Sequence, residues 1–120
     1  MSEFVAAAVK PVVPFSALEA LDIRVGTIER VEEVPRSDKL MRLTVDFGDH
    51  SRVILAGIRK ERENSKEIEG KQALFVLNLE PRKMAGEVSH GMLFDLGYAD
   101  GIKPALAVPE WPVPNGTRAG

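Results

Sequence analysis

Apolar and polar residues alternate along much of the chain, a pattern typical of half-buried β-strands. The clearest case is LMRLTVDFG at residues 40–48, in which every second residue from Met41 onward is apolar. The apolar positions of another stretch, residues 23–31, change phase at Gly26 and Thr27, so a β-bulge is predicted there. Besides residues 40–48, four stretches predict strands: IRVGTIERV (23–31), RVILAGI (52–58), ALFVLNL (73–79) and GMLFDLG (91–97).

Two short helical segments are predicted outside the strands. Ser16 followed by Glu19 indicates a helix start, because the Ser hydroxyl can accept from a first-turn N–H while the Glu reaches back. The polar stretch RKERENSKEIEGK at residues 59–71 predicts a short helical insert that ends at Gly70. Four prolines after the last strand predict an extended C-terminal tail: Pro104, Pro109, Pro112 and Pro114.

Five strands, with the insert between the third and fourth, predict an all-β fold, a small five-stranded barrel of the OB type. The length of 120 residues suits one domain, with residues 1–14 as an N-terminal tail and residues 15–120 as the OB-fold domain. A barrel of this size fills its interior with side chains. Any binding site should therefore lie on the outer surface or in the loops.

Composition excludes several kinds of site. The chain has no cysteine, which excludes disulfides and thiolate chemistry, and its two histidines are isolated from other metal ligands. No metal or cofactor is therefore expected. Nucleophile-elbow and phosphate-loop patterns are missing, so neither catalytic residues nor an enzyme activity is predicted. The apolar N-terminal stretch is interrupted at Lys10 and Pro11, which favours a cytoplasmic protein that does not insert into membranes.

Positive charge is concentrated in the middle third of the chain. The net charge is -2 overall, but residues 35–72 hold nine Lys and Arg against seven Asp and Glu. A site for a polyanion must therefore be a local patch. Arg36, Lys39 and Arg42 precede or lie on the second strand and could form such a patch. Cations on a strand are also common as solvated side chains that protect a sheet edge.

A second basic group lies in NLEPRKMAGEVSHGM, the long connection at residues 78–92 between the fourth and fifth strands. Arg82 and Lys83 would lie beside the first group, because the ligand face of OB barrels combines the second and third strands with the flanking loops. RNA would then be read through its backbone and one or two unstacked bases, since core packing is the expected role of the strand phenylalanines. These are Phe47, Phe75 and Phe94.

Four segments of the chain resemble a known family: LDIRVGTIERVEEVPRSDKLMRLTVDFG, AGIRK, EIEGKQALFVLNLEPRKMAGEVSHGM and PVPNGTRAG. The family is the stand-alone tRNA-binding domain that is also appended to methionyl-tRNA synthetases, and the similarity is greatest to its CsaA-type members, described as export-related chaperones. The resemblance covers residues 15–120, and NLxPRKMxGxxSxGM is its most specific motif. The sequence departs from the family pattern at Ala56, where many members have Ser, and at His90, where an acidic residue is frequent.

The resemblance implies a non-catalytic OB-fold homodimer that binds tRNA by its shape and backbone. For the CsaA branch it implies instead a protein-export chaperone that binds unfolded preproteins or peptides, and a third alternative is a structural subunit that binds a synthetase in trans. The apolar tail with Trp111 is predicted to pack across a two-fold partner. The family motif places tRNA contacts on Lys39, Arg42, Asn78, Arg82, Lys83, Met84, Ser89 and Met92.

Overall fold

The structure is a computed structural model, and it describes residues 4–120. Its strands are β1 (Ile23–Glu33), β2 (Met41–Asp46), β3 (Ser51–Ala56), β4 (Gln72–Val76), β5 (Arg82–Met84), β6 (Glu87–Ser89), β7 (Met92–Leu93), β8 (Asp95–Leu96) and β9 (Ala105–Leu106). Helix α1 (Phe15–Glu19) precedes them, and two 3-10 helices span Ser65–Ile68 and Tyr98–Asp100. A five-stranded antiparallel sheet has the order β3-β2-β1-β4-β7, and β5–β6 and β8–β9 form two small hairpin-like sheets. The predicted all-β OB-type fold, with its short N-terminal helix and short helical insert, is confirmed.

Strand β1 is the element around which the sheet curls. Residues 23–27 pair with β4, and residues 27–33 pair with β2, so the strand changes partner along its length. The register with β2 shifts between Ile28 and Arg30, which places the β-bulge at Glu29. The predicted bulge at Gly26 and Thr27 is therefore wrong by two residues. The apolar pattern changes phase at Gly26 because this position faces the core beneath the side chain of Phe47, where a residue without a side chain fits.

The core fills the interior of the curled sheet. Apolar residues of β2 are buried at every second position as predicted, and the pattern continues into Phe47, which is 1% exposed. The rings of Phe47 and Phe75 meet edge to face with centroids 5.4 Å apart. Burying each such side chain contributes about 1.5–3 kcal/mol to folding. A filled interior leaves the outer surface and the loops for ligands.

The barrel closes between β3 and the segment that follows β6. The His90 N–H donates to the Val53 carbonyl at 3.0 Å. The buried Ser89 hydroxyl accepts from the Leu55 N–H at 2.9 Å and donates to the Gly91 carbonyl at 3.1 Å. The Ser89 side chain therefore satisfies two backbone groups, the Leu55 N–H and the Gly91 carbonyl, which a longer pairing of strands would otherwise satisfy.

The C-terminal tail is extended, as predicted, and it pairs with the part of β1 that β2 does not reach. The Val25 N–H donates to the Thr117 carbonyl at 2.9 Å, and the Gly116 N–H donates back to the Val25 carbonyl at 2.8 Å. The Thr27 hydroxyl donates to Asn115 Oδ1 at 2.8 Å. The end of the tail is thus a structural part of the barrel, while Trp111 remains 64% exposed.

The structure corrects two local predictions, the cap of α1 and the fifth strand, and defines the helix of the insert. Ser16 does not cap α1, because the helix begins at Phe15 and its N-cap position is Pro14, which makes no side-chain hydrogen bond. The insert forms one 3-10 turn, in which the Asn64 side chain accepts from the Lys66 N–H at 3.1 Å. The predicted fifth strand is divided at Phe94 between the large sheet and the β8–β9 pair.

The N-terminal tail can be described from residue 4 onward, since residues 1–3 lie outside the described part of the chain. Residues 4–14 contain neither helix nor strand up to the start of α1, and their side chains are exposed. Within residues 4–120, no helix combines the length and the apolar character that a membrane crossing requires.

Gly26 should be intolerant of a side chain. A Cβ at this position would lie 2.6 Å from Val45 Cγ1 and 2.7 Å from Phe47 Cε1, both in the core. We expect Gly26→Ala to lower the free energy of unfolding by about 1–3 kcal/mol, the usual cost of overpacking. Gly57→Ala is the matched control, because no heavy atom lies within 4 Å of its added Cβ. Equal urea midpoints for the two variants at one protein concentration would contradict this packing argument.

Candidate nucleic-acid interface

The connection at residues 78–92 is a compact hairpin and not an open loop. Strands β5 and β6 pair through Arg82 with Ser89, Lys83 with Val88 and Met84 with Glu87. The turn consists of Ala85 and Gly86, with φ of 50° and 81°. Positive φ at both positions matches the twist of a two-residue hairpin. The length of the connection is thus explained by a folded element that projects from the barrel.

Arg82 and Lys83 are the exposed cations of this hairpin. As neighbours on one strand, they direct their side chains to opposite faces of β5. Within residues 4–120 neither side chain forms an ion pair. Both charges are therefore available to an anionic ligand.

Arg42 is paired with carboxylates, although its position in the sequence suggests a cation that is available to a ligand. Its guanidinium donates to both carboxylate oxygens of Glu87 on β6, at 2.6 and 2.5 Å, and lies 3.5 Å from Glu32. Hydrogen bonding to Arg42, followed by its charge, holds the pKa of the Glu87 carboxyl below its usual range against the opposing effect of burial. The charge of Arg42 is thus balanced, and the paired side chains attach the hairpin to the face of β2.

Asn78 and Ser89 use their polar atoms within the chain. Asn78 Oδ1 accepts from the Asp22 N–H at 2.7 Å, and Asn78 Nδ2 donates to the Ala20 carbonyl at 2.7 Å. Ser89 is 3% exposed and closes the barrel. Their place in the family motif is accounted for by these structural bonds. A direct contact of either residue with tRNA stays a prediction.

Lys39 and Met92 both line a large surface groove of 1310 Å³, whereas Arg42 lines a separate hollow of 580 Å³ with His50, Arg52 and His90. The hairpin contributes Ala85 to the groove and Glu87 to the hollow, so it lies between the two depressions. Met84 is half-buried on the hairpin. Most of the predicted contact residues therefore lie on or beside the hairpin, Asn78 lies against Ala20 and Asp22, and the set does not form one continuous patch.

The groove contains functional candidates that sequence reasoning missed. Phe94 is half-buried and lines the groove, which corrects its predicted place in the core. Tyr98 lies on the same wall and is 69% exposed. The sequence signal for Tyr98 was its position in GYADG, where flanking glycines indicate a turn that exposes the aromatic ring. Four cations also line the groove: Arg36, Lys39, Lys60 and Lys103.

Two carboxyl groups, Glu61 and Asp95, face each other in this groove. Burial, then a hydrogen bond to Asp95, then the charge of Asp95 raise the pKa of Glu61 to about 7, and Arg62 opposes this shift. Glu61 Oε1 and Asp95 Oδ1 are both buried and have no other hydrogen-bond partner in the described chain. Two carboxylates cannot hydrogen-bond to each other, but one shared proton satisfies both oxygens. Glu61 therefore retains its proton up to about neutral pH.

This shared proton should make stability depend on pH in a defined direction. Because the pKa of Glu61 is raised from 4.5 to about 7, the folded chain binds more protons than the unfolded chain between these values. The free energy of unfolding should fall as pH rises through this window, by at most about 1.4 kcal/mol per pH unit. Glu61→Gln cannot ionise and should be less sensitive to pH across it.

Glu63→Gln removes an exposed carboxylate two residues away and is the matched control. Both variants are unfolded with urea at several pH values. Comparing their free energies of unfolding cancels the contributions of the other titrating groups, which both variants share. Parallel stability profiles for Glu61→Gln and Glu63→Gln would rule out the shared proton.

The curled sheet, the filled interior and the projecting basic hairpin define a protein of the OB-fold class of ligand-binding barrels. Within residues 4–120, no group of three or more His, Asp or Glu side chains is arranged to hold a metal ion. A family model described as "Putative tRNA binding domain" matches residues 23–118, and the chain belongs to this family.

Individual relatives agree with this assignment. The chain is 48% identical over 103 residues to a methionine–tRNA ligase of Methanothrix thermoacetophila, a match that covers 83% of this chain but 15% of the ligase. Among solved structures, a MetRS-related protein from Pyrococcus horikoshii is 34% identical with a TM-score of 0.84, covering 92% of this chain and 100% of that one. The chaperone CsaA from Bacillus anthracis is 31% identical with a TM-score of 0.79 and the same two coverages.

Proposed function

We propose that the protein is a non-catalytic tRNA-binding protein of the cytoplasm, which holds the RNA backbone on the β5–β6 hairpin. The observation that carries the proposal is the pair of exposed cations, Arg82 and Lys83, on an element fixed to the barrel. Phosphate contacts supply most of the affinity of proteins that bind nucleic acid by shape. Two cations on opposite faces of a projecting hairpin can contact phosphates on both of its sides.

The hairpin is suited to this role because its position is fixed before any ligand binds. Arg42 and Glu87 attach one strand to the barrel, and Ser89 bonds the end of that strand to β3. A fixed element loses little conformational freedom on binding, so more of the contact energy appears as affinity. In this proposal Ser89 and Arg42 support the hairpin, and Asn78 fixes the segment before it to the start of β1. Lys39, Met84 and Met92 extend the contact surface around the hairpin.

Homodimer formation is a further part of the proposal. Trp111 is 64% exposed and Val108 is 59% exposed on a tail whose end is bonded to β1. Exposed apolar side chains on a rigid segment are a common feature of subunit interfaces. A two-fold partner would cover them with the same surface of a second copy.

Binding of unfolded polypeptide is the second candidate function. It is supported by the likeness to the CsaA chaperone and by the apolar side chains, Met92 and Ile102 among them, that line the large groove. Thioether side chains adapt to irregular apolar ligands. An apolar contact should persist as salt rises, whereas a phosphate contact should weaken.

Removing the two hairpin charges should separate these functions. We expect Arg82→Ala combined with Lys83→Ala to weaken tRNA binding and to reduce the log–log salt slope by about 0.7–0.9 for each phosphate that the protein no longer neutralises. Affinity for an unfolded peptide should not change. The control replaces Lys66 and Lys71, two exposed lysines of the insert that line neither groove nor hollow, with alanine. A salt slope that is the same for the hairpin variant and the control in filter binding would remove the hairpin from the tRNA interface.

A charge at Trp111 should prevent dimer formation. We expect Trp111→Glu to sediment and scatter light with the mass of one chain, 13.2 kDa, because an ionised carboxylate cannot be buried in an apolar contact. Trp111→Phe keeps an apolar ring and should remain dimeric. The two variants share an exposed position, so neither should alter the fold. Identical masses for both variants would locate any interface elsewhere.

A further inference from the structure

The large groove combines features that a single ligand class can explain together. Four cations lie along it, and an exposed tyrosine and a half-buried phenylalanine form part of its wall. We propose that this groove binds an unpaired nucleotide of the RNA, with the base stacked on Tyr98 and the adjoining phosphates held by lysines. The inference rests on the proposed tRNA binding and assigns a single-stranded part of the RNA to a defined place on the protein.

Tyr98 is held in a position from which it can stack. It begins the 3-10 turn Tyr98–Asp100, between Gly97 and Gly101, which both have positive φ. The Ile102 N–H donates to the Gly97 carbonyl at 3.2 Å, and the Gly101 N–H donates to the Tyr98 carbonyl at 3.2 Å. The turn is thus closed by its own backbone, while the ring is 69% exposed. An exposed aromatic ring on such a turn can stack on any base, because every base has a π-face.

The charges around the groove favour a polyanion. Arg36, Lys39 and Lys103 form no ion pairs within residues 4–120, and the pair between Lys60 and Asp38 is exposed at 3.1 Å. Arg36 also lies beside Gly86 of the hairpin turn. Arg36 therefore lies between the hairpin turn and the groove, where it can contact the phosphates of an RNA strand that touches both. The same charges would repel a basic peptide.

The experiment compares three variants of the full chain. Tyr98→Ala should weaken binding of a short single-stranded oligocytidylate about 5-fold to 100-fold, the usual effect of removing one stacking partner. Tyr98→Phe should retain the affinity, because the ring remains. Leu96→Ala is the matched control, since this side chain is 51% exposed but does not line the groove. Circular dichroism verifies that the exposed substitutions leave the fold intact.

Photocrosslinking supplies a second readout. Tyr98 is the only tyrosine of the chain, so a tyrosine adduct formed with an iodinated oligocytidylate identifies this one position. Mass spectrometry should find the adduct on Tyr98 or on Phe94 of the same groove. An adduct confined to the hairpin or to the hollow around Arg52 would overturn the proposal.

The outcomes separate this inference from the proposed function. If the wild type binds tRNA and Tyr98→Ala changes neither tRNA nor oligocytidylate binding, tRNA binding stands and the groove assignment fails. If the wild type binds oligocytidylate through Tyr98 but does not bind tRNA, the groove assignment stands and the proposed function fails. If Tyr98→Ala weakens binding of an unfolded peptide and leaves oligocytidylate binding unchanged, the groove is a peptide site and the inference is overturned.

Discussion

The closure of the barrel by Ser89 is the interaction on which the arrangement of the surface depends. Strand β3 is an edge of the five-stranded sheet, and its Leu55 N–H would be buried without a partner if the Ser89 hydroxyl were absent. An orphaned buried donor costs about 1–3 kcal/mol. The same hydroxyl fixes the last residue of β6, so closing the sheet also orients the hairpin. Ser89 therefore links fold stability to the position of the candidate interface, which the Arg42–Glu87 pair also maintains.

The cations around the hairpin have two different roles. Arg42 lies close to the barrel, and its charge is balanced by Glu87 on the hairpin and by Glu32 on β1. Arg82 and Lys83 lie on the hairpin itself and have no such partners in the described chain. Paired charges at the base fix geometry, and unpaired charges remain available for ligand, so similar residue types serve two purposes on neighbouring elements.

The sequence predicted those features that depend on local periodicity. Alternation in β2 is visible because one face of the strand is buried along its whole length, and the prolines marked the extended tail. The bulge was misplaced because it is set by the register of β1 against β2, which no single segment contains. The sequence predicts Arg42 as part of a ligand-binding basic patch and does not reveal its ion pair, because its partner Glu87 lies 45 residues later in the chain. The sequence predicts Phe94 in the core because it lies in an apolar run, which does not show that the chain leaves the large sheet after β7 and joins the β8–β9 pair.

Two aromatic residues remain exposed although the fold gives them rigid supports. The tail that carries Trp111 completes the pairing of β1, and the turn that carries Tyr98 is closed by its own hydrogen bonds. Neither ring contributes a buried surface to the core, so folding alone does not account for their identity. A rigid support with an exposed aromatic side chain is instead the arrangement that intermolecular contacts use, because it presents apolar area with little entropy left to lose. The barrel therefore orients two such rings on separate segments, and in our proposals Trp111 contacts a second copy of the chain while Tyr98 contacts RNA.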